Sequence, residues 1–312
     1  MLYMTTYDDL IRRWDACNGG QLLVDAQHPI AEMYLNVNAH GNRELLIPVK
    51  KPITTFESTE AIGISNYKAQ AQWFFAIELL TESLIKEYAC LCFELIQSSK
   101  QCRSTSAALE VLFDTFRKWY DLMANVHRDI LPLNEIRGIM GEIEFMIDEI
   151  DDGKNEAEVV HAWTVHKDAS RDFIYDDVWD EVKTVKSTSD YVTISSIEQL
   201  DHNMDGHLIV YCLDQANADE KGVWTLNSII QELCQRLSMA AEAELSRKLL
   251  TKGYVYNVQY DQYSFVFKKR NSFFVNSDFP SISRAMLSPA IKAARYEIFL
   301  TEIEEWREAD GE

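Results

Sequence analysis

The sequence predicts a mixed α/β protein (α+β overall), a sheet of at least four strands flanked by helices, preceded by an amino-terminal part that is first β-rich and then helical. Three observations carry this. Short apolar or alternating runs between Gly, Pro and Asn breaks fill roughly the first eighty residues. Apolar residues then recur at three- and four-residue spacing. After Leu131-Pro132 the order becomes helix, three strands, helix, strand.

Strands are predicted at Gln21 to Asp25, Met33 to Asn38, Glu44 to Val49 and Gln72 to Leu80. Helices follow at Glu82 to Gln97 and Ser106 to Met123, with Ser104 to Ser106 as caps. The break at Leu131-Pro132 sets an expected boundary between an accessory domain, 1–128, and a second domain, 129–312. Beyond it a helix is expected over Glu135 to Ile150, and strands at His161 to Val165, Arg171 to Ile174, Val178 to Val185 and His207 to Leu213. A short helix is expected at Ser195 to Leu200, two more within Leu226 to Leu250, a β-hairpin over Tyr254 to Val275, and a final helix from Ser288 to Trp306. There is no internal repeat, low-complexity tract or Gly/Ser linker.

At 312 residues and 47% apolar content the chain can bury a sizeable core. Charged residues interrupt Met1 to Gly20, and Glu78 interrupts the most apolar run, so neither a secretory signal nor a membrane helix is expected. A cytoplasmic protein follows. The six cysteines lack the C-x-x-C spacing of a zinc site. Fifty acidic against thirty basic residues give a net charge of −20, the wrong sign for holding nucleic acid by charge alone. Contact with DNA must then be local, metal-bridged or aided by partner subunits. Motifs for nucleotide hydrolysis, dinucleotide redox, serine hydrolysis and zinc proteolysis are absent.

The chemistry concentrates between Arg171 and Thr184. If Asp176-Asp177 centres a turn, symmetric pairing sets Asp172 opposite Glu181, and Lys183 shares the face of Glu181, with Trp179 extending the row. Opposed residues on paired strands bring their Cβ atoms within about 4.5–5.5 Å, where two carboxylates repel and call for a cation. A hard divalent ion such as Mg²⁺ takes oxygen ligands and leaves positions for phosphate and water. It supplies Lewis acidity, while Lys183 orients or deprotonates the water or neutralises charge. The competing reading of Glu181 and Lys183 is an ordinary ion pair, and acidic-x-Lys recurs elsewhere by chance.

Gly138-Ile139-Met140-Gly141-Glu142-Ile143, Asp172-Phe173, Glu181-Val182-Lys183-Thr184 and Ile194 to Leu200, with Phe279-Pro280 and Tyr296-Glu297, resemble the PD-(D/E)XK nuclease family found beside phage-defence and restriction-modification genes. The resemblance spans nearly the whole chain. It implies a restriction-endonuclease-like fold, Asp172, Glu181 and Glu142 as ligands of Mg²⁺ or Mn²⁺, and Lys183 as the catalytic lysine. Arg171 departs from the motif, which has proline there. Gln199 is either a neighbour of the scissile phosphate or a helix-surface glutamine. Glu142 is either part of the site or a solvated helix acid, with Gly138 and Gly141 pointing to close packing. Lys268-Lys269-Arg270, among aromatics, is either a phosphate contact or a basic turn.

The expected function is therefore a Mg²⁺-dependent endonuclease, or nuclease subunit, acting on DNA in a bacterial anti-phage or restriction system with other protein subunits. The alternative is a catalytically inactive nuclease-fold subunit that binds DNA or scaffolds a defence complex. No membrane partner is expected.

Overall fold

A computed structural model describes residues 7–17, 20–124, 130–166, 170–201, 204–217 and 220–308. The chain divides into two compact units, Met1–Asp129 with Met239–Tyr256, and Ile130–Ser238 with Asn257–Glu312.

In the first unit a helix not anticipated from sequence, α1 (Tyr7–Asp15), precedes five antiparallel strands: β1 (Leu22–Leu23), β2 (Tyr34–Val37), β3 (Arg43–Val49), β4 (Ile62–Ala69) and β5 (Gln72–Leu79). They lie in the order β1-β2-β3-β5-β4. Helices α2 (Ile85–Lys100) and α3 (Thr105–Ala124) follow. Alternation along the strands turns Leu45, Ile47, Phe75 and Ile77 into a core with Tyr88, Phe116 and Trp119. Burying each such side chain contributes about 1.5–3 kcal/mol.

The second unit begins with α4 (Leu133–Asp151), started by Pro132, and α5 (Glu156–Ala162). The Asn155 side chain accepts from the amides of Ala157 and Glu158, a cap that makes this segment helical. The strand expected at His161 to Val165 is thereby corrected to a helix end, with Trp163 making a single bridge to Phe173.

Strands β6 (Phe173–Ile174), β7 (Trp179–Val185), β8 (Tyr191–Ile194), β9 (Gly206–Gln215) and β10 (Val223–Trp224) come next, then α6 (Leu226–Cys234) and α7 (Met239–Thr251). Helix α7 packs with the first unit, where Ala243 and Leu250 join the core. A hairpin does not form over Tyr254 to Val275. Instead a 3-10 turn, Val258–Gln262, leads into one long strand, β11 (Phe265–Val275), bulged between Phe267 and Lys269. The final helix expected over Ser288 to Trp306 is also replaced. Pairing with β8 draws Tyr296–Phe299 into a strand, β12, and only Leu300–Trp306 coils, as 3-10. Tertiary pairing here overrides helical spacing.

The central sheet has the order β10-β11-β9-β7-β6, with β7 parallel to β9 and its other pairs antiparallel. One face receives α4. Gly141 makes that approach possible, since a Cβ there would meet Thr184 Cγ2 at 2.4 Å, whereas a Cβ on Gly138 would meet nothing within 4 Å. On the other face Trp179, Leu208, Val210 and Phe273 form a core with Val192, Ile194 and Ile298 of the small β8–β12 sheet. Such a mixed sheet with helices is the restriction-endonuclease-like arrangement expected from the sequence.

Candidate active site

The register of β6 on β7 places Phe173 opposite Asp180 and Ile174 opposite Trp179. One step further, Asp172 comes opposite Glu181, the pairing that a turn at Asp176-Asp177 predicts. Ladder partners point to the same face. Since Glu181 pairs with Leu208 and Lys183 with Val210, both side chains lie on the face of the Trp179 core.

Asp172 is held by its backbone and its side chain: its carbonyl accepts from Thr164 N at 2.7 Å, and Oδ2 accepts from Val182 N at 2.9 Å. Glu181 is fully buried at 0% exposure. Its Oε1 accepts a short bond from Lys183 Nζ, and its Oε2 is buried without any hydrogen-bond partner. Burial first, then repulsion from Asp172, pushes the Glu181 carboxyl up to about 8 despite the neighbouring ammonium. Burial alone would pull Lys183 down, but Glu181 and Asp172 outweigh it and hold the ammonium above its ordinary value.

Glu142 reaches this neighbourhood from α4. It is buried, its Oε2 accepts from Trp163 Nε1 at 2.7 Å, and it adds a smaller repulsion at Glu181. The solvated-helix alternative for Glu142 does not fit that burial. Gln199 sits on a 3-10 turn, Ile197–Gln199, rather than the expected helix, and its Oε1 accepts from Ser195 N at 2.7 Å. The bonds of its amide oxygen are local, to Ser195 N and Ser196 N.

Arg171 is the residue that motif reading undervalued. Its guanidinium lies 4.2 Å from the Trp179 ring centroid and donates to the Asp201 carbonyl, while Nε is buried without a partner. The charges of Asp201 and Glu181 act on it. The signal was in the sequence, as a cation directly before Asp172 where the motif has proline. The Lys268-Lys269-Arg270 run is split by the strand. Lys268 and Lys269 are exposed at the bulge, but Arg270 turns to the α4 side, 3.6 Å from Asp148 and 3.8 Å from Glu149. His207 bonds Asp180 at 2.8 Å, as a satisfied histidine does, while His202 lies outside the described residues.

Among the described residues no three His, Cys, Asp or Glu side chains form a ready-made metal cage. Mg²⁺ does not require one, because it is commonly held by one or two carboxylates plus waters and substrate phosphate. Two adjacent acids, one with a buried unpartnered oxygen, fit that donor set.

A family model described as "Putative PD-(D/E)XK family member, (DUF4420)" matches residues 10–301. The chain belongs to this family. Membership of the PD-(D/E)XK family points to nuclease chemistry, and the hairpin carrying Asp172, Glu181 and Lys183 falls inside the matched region. No curated protein and no solved structure matches the chain. Among the described residues no helix is long and apolar enough to cross a membrane.

Proposed function

We propose that this member of the PD-(D/E)XK family is a Mg²⁺- or Mn²⁺-dependent endonuclease, or the nuclease subunit of a larger assembly, that hydrolyses phosphodiester bonds in DNA. The observation that carries this reading is the meeting of Asp172, Glu181 and Lys183 on one face, with a buried oxygen of Glu181 left unpartnered.

Asp172 and Glu181 would hold the ion, with Glu142 in support. When bound, the ion supplies Lewis acidity at the scissile phosphate. Lys183, kept protonated by the two acids, serves as a fixed positive charge against the charge that builds on the phosphate oxygens rather than as a base. The Val182 amide fixes the Asp172 carboxylate, and Trp163 fixes Glu142, so neither acid has to be ordered when substrate arrives.

Asp172→Ala and Glu181→Ala are each expected to abolish Mg²⁺-dependent cleavage of plasmid DNA with the far-UV circular dichroism unchanged. Undiminished cleavage by the purified double variant overturns the assignment. The −20 charge supports a second reading, a nuclease-fold subunit that scaffolds or binds DNA without cutting it. Calorimetric titration with Mn²⁺ separates the two: heat that vanishes in the double variant belongs to the enzyme, and no heat from the wild type belongs to the scaffold. The resemblance to defence-associated nucleases supports a role in bacterial anti-phage or restriction defence alongside other subunits. Plaque counts on cells carrying the wild-type or Asp172→Ala chain test that role.

A further inference from the structure

Between Asp278 and Glu297 the chain carries Arg284, Lys292 and Arg295 and no acidic residue. Several other surface cations are paired locally, although among the described residues Lys50-Lys51 and Lys268-Lys269 are exposed without an ion pair. Arg43 is paired with Asp15 and Glu82, Arg236 with Asp151 and Glu232, and Arg307 with Glu304. Among the described residues, Arg284, Lys292 and Arg295 have no ion pair, and Lys292 and Arg295 are exposed. In a protein of net charge −20, three unpaired cations in one acid-free interval form a local field of the opposite sign.

The interval is built rather than loose. Arg284 Nη1 donates to the Ile291 carbonyl at 2.6 Å, folding it back on itself. Tyr296 follows directly after Arg295, pairs with Ile194, and accepts from Ile282 N at 3.3 Å. The Tyr296 ring packs against the core of Trp179, Leu208 and Phe273, the face that also carries Glu181 and Lys183. The Tyr296 hydroxyl lies in the field of Asp201, whose carbonyl holds Arg171, the neighbour of Asp172. A path of groups thus runs from the exposed cations through Tyr296 and Asp201 to the candidate site.

We propose that Arg284, Lys292 and Arg295 form the strip that holds the phosphodiester backbone of a nucleic acid and leads it to the face of Asp172 and Glu181. The strip answers the charge problem, because a backbone can bind this local positive field while the rest of the surface repels it. Its place beside a cleavage site rests on the nuclease reading.

The test is fluorescence anisotropy of a short labelled DNA duplex at several salt concentrations, in EDTA so that cleavage does not intervene. Single-stranded DNA and RNA of the same sequence are run in parallel. Lys292→Ala/Arg295→Ala, which leaves the Arg284 bond to Ile291 in place, is expected to raise the Kd about tenfold or more and to lower the salt slope by about two. The control Lys50→Ala/Lys51→Ala, in the first unit, is expected to change neither. An unaltered Kd and slope in the first variant overturns the strip, and so does the absence of nucleic-acid binding by the wild type at low salt. The comparison among the three probes names the preferred backbone. Since no metal is present, the outcome is independent of the cleavage assay. Cleavage that survives in the Asp172/Glu181 variant removes the assignment of the cleavage site and leaves the strip standing, and loss of the strip leaves the metal site untouched.

Discussion

On the side of the central sheet that faces α4, Asp180 has His207, Asp148 has Tyr211 and Arg270, and Glu149 has Lys154. On the other side Asp172 and Glu181 share Lys183, and one oxygen of Glu181 has no partner. Both sets are largely buried and both are rich in acids. Glu149 Oε2 also lacks a hydrogen bond, so what separates the two sets is that each acid of the first has a charged partner of its own, whereas Asp172 and Glu181 have one ammonium between them. Where each acid has its own, the charges serve the fold. Where it does not, the proposed metal would make up the deficit, and on that reading the shortfall points to the site more directly than burial or acidity alone.

That contrast can be broken by paired substitutions. The largest effect is expected from Lys183→Ala, which should lower cleavage by about 10²–10³-fold while the protein stays folded, the range seen on removing one transition-state charge partner. Steady-state cleavage normalised to folded protein measures it. Arg270→Met on the α4 side should do the reverse. Its loss leaves Asp148 and Glu149 short of a cation and costs about 1.5–3 kcal/mol in urea unfolding, with cleavage per folded molecule unchanged. If both variants changed the same quantity, the division between the faces would fail.

The next effect concerns the packing of α4, the helix of Glu142, on β7. Gly141→Ala drives a methyl into Thr184 Cγ2 and should destabilise the protein by about 1–3 kcal/mol. Adding Thr184→Ser removes that methyl's obstacle and should restore most of the loss. Failure of the rescue would mean that α4 approaches β7 differently. The smallest effect is a pH dependence at His207. Burial lowers its pKa, but the hydrogen bond and charge of Asp180, with Glu308 at 3.7 Å, outweigh this and raise it. A raised folded-state value means that the stabilisation is complete below the unfolded value of about 6.5 and is lost as pH rises through the higher one. His207→Asn should therefore cost about 1 kcal/mol or less at low pH and nothing at high pH, read from urea midpoints across the range.

The Asp172 to Lys183 hairpin was legible in sequence because two-residue periodicity and a turn centre fix a register with no tertiary information. The same local logic found α2, α3 and α4, whose apolar stripes repeat over several turns. It failed where a distant partner decides. Tyr296–Phe299 is a strand because β8 is available to pair with it, and Trp163 ends a helix because Asn155 caps the segment before it. Glu142 was legible as a candidate, but its burial beneath the Trp163 indole depends on how closely Gly141 lets two elements meet. Gln199, expected on a short helix, sits on a 3-10 turn that its own amide oxygen holds, which helical spacing alone does not reveal.

Helix α7 has a consequence for how the molecule is made. The core of the first unit includes Ala243 and Leu250, yet α4 to α6 and β6 to β10 are synthesised before them. When Asp129 leaves the ribosome, the first unit is still missing part of its apolar packing, and it waits for more than a hundred further residues. The amino-terminal unit therefore cannot close as it emerges, and during that interval its uncovered helices are a target for chaperones and for wrong partners.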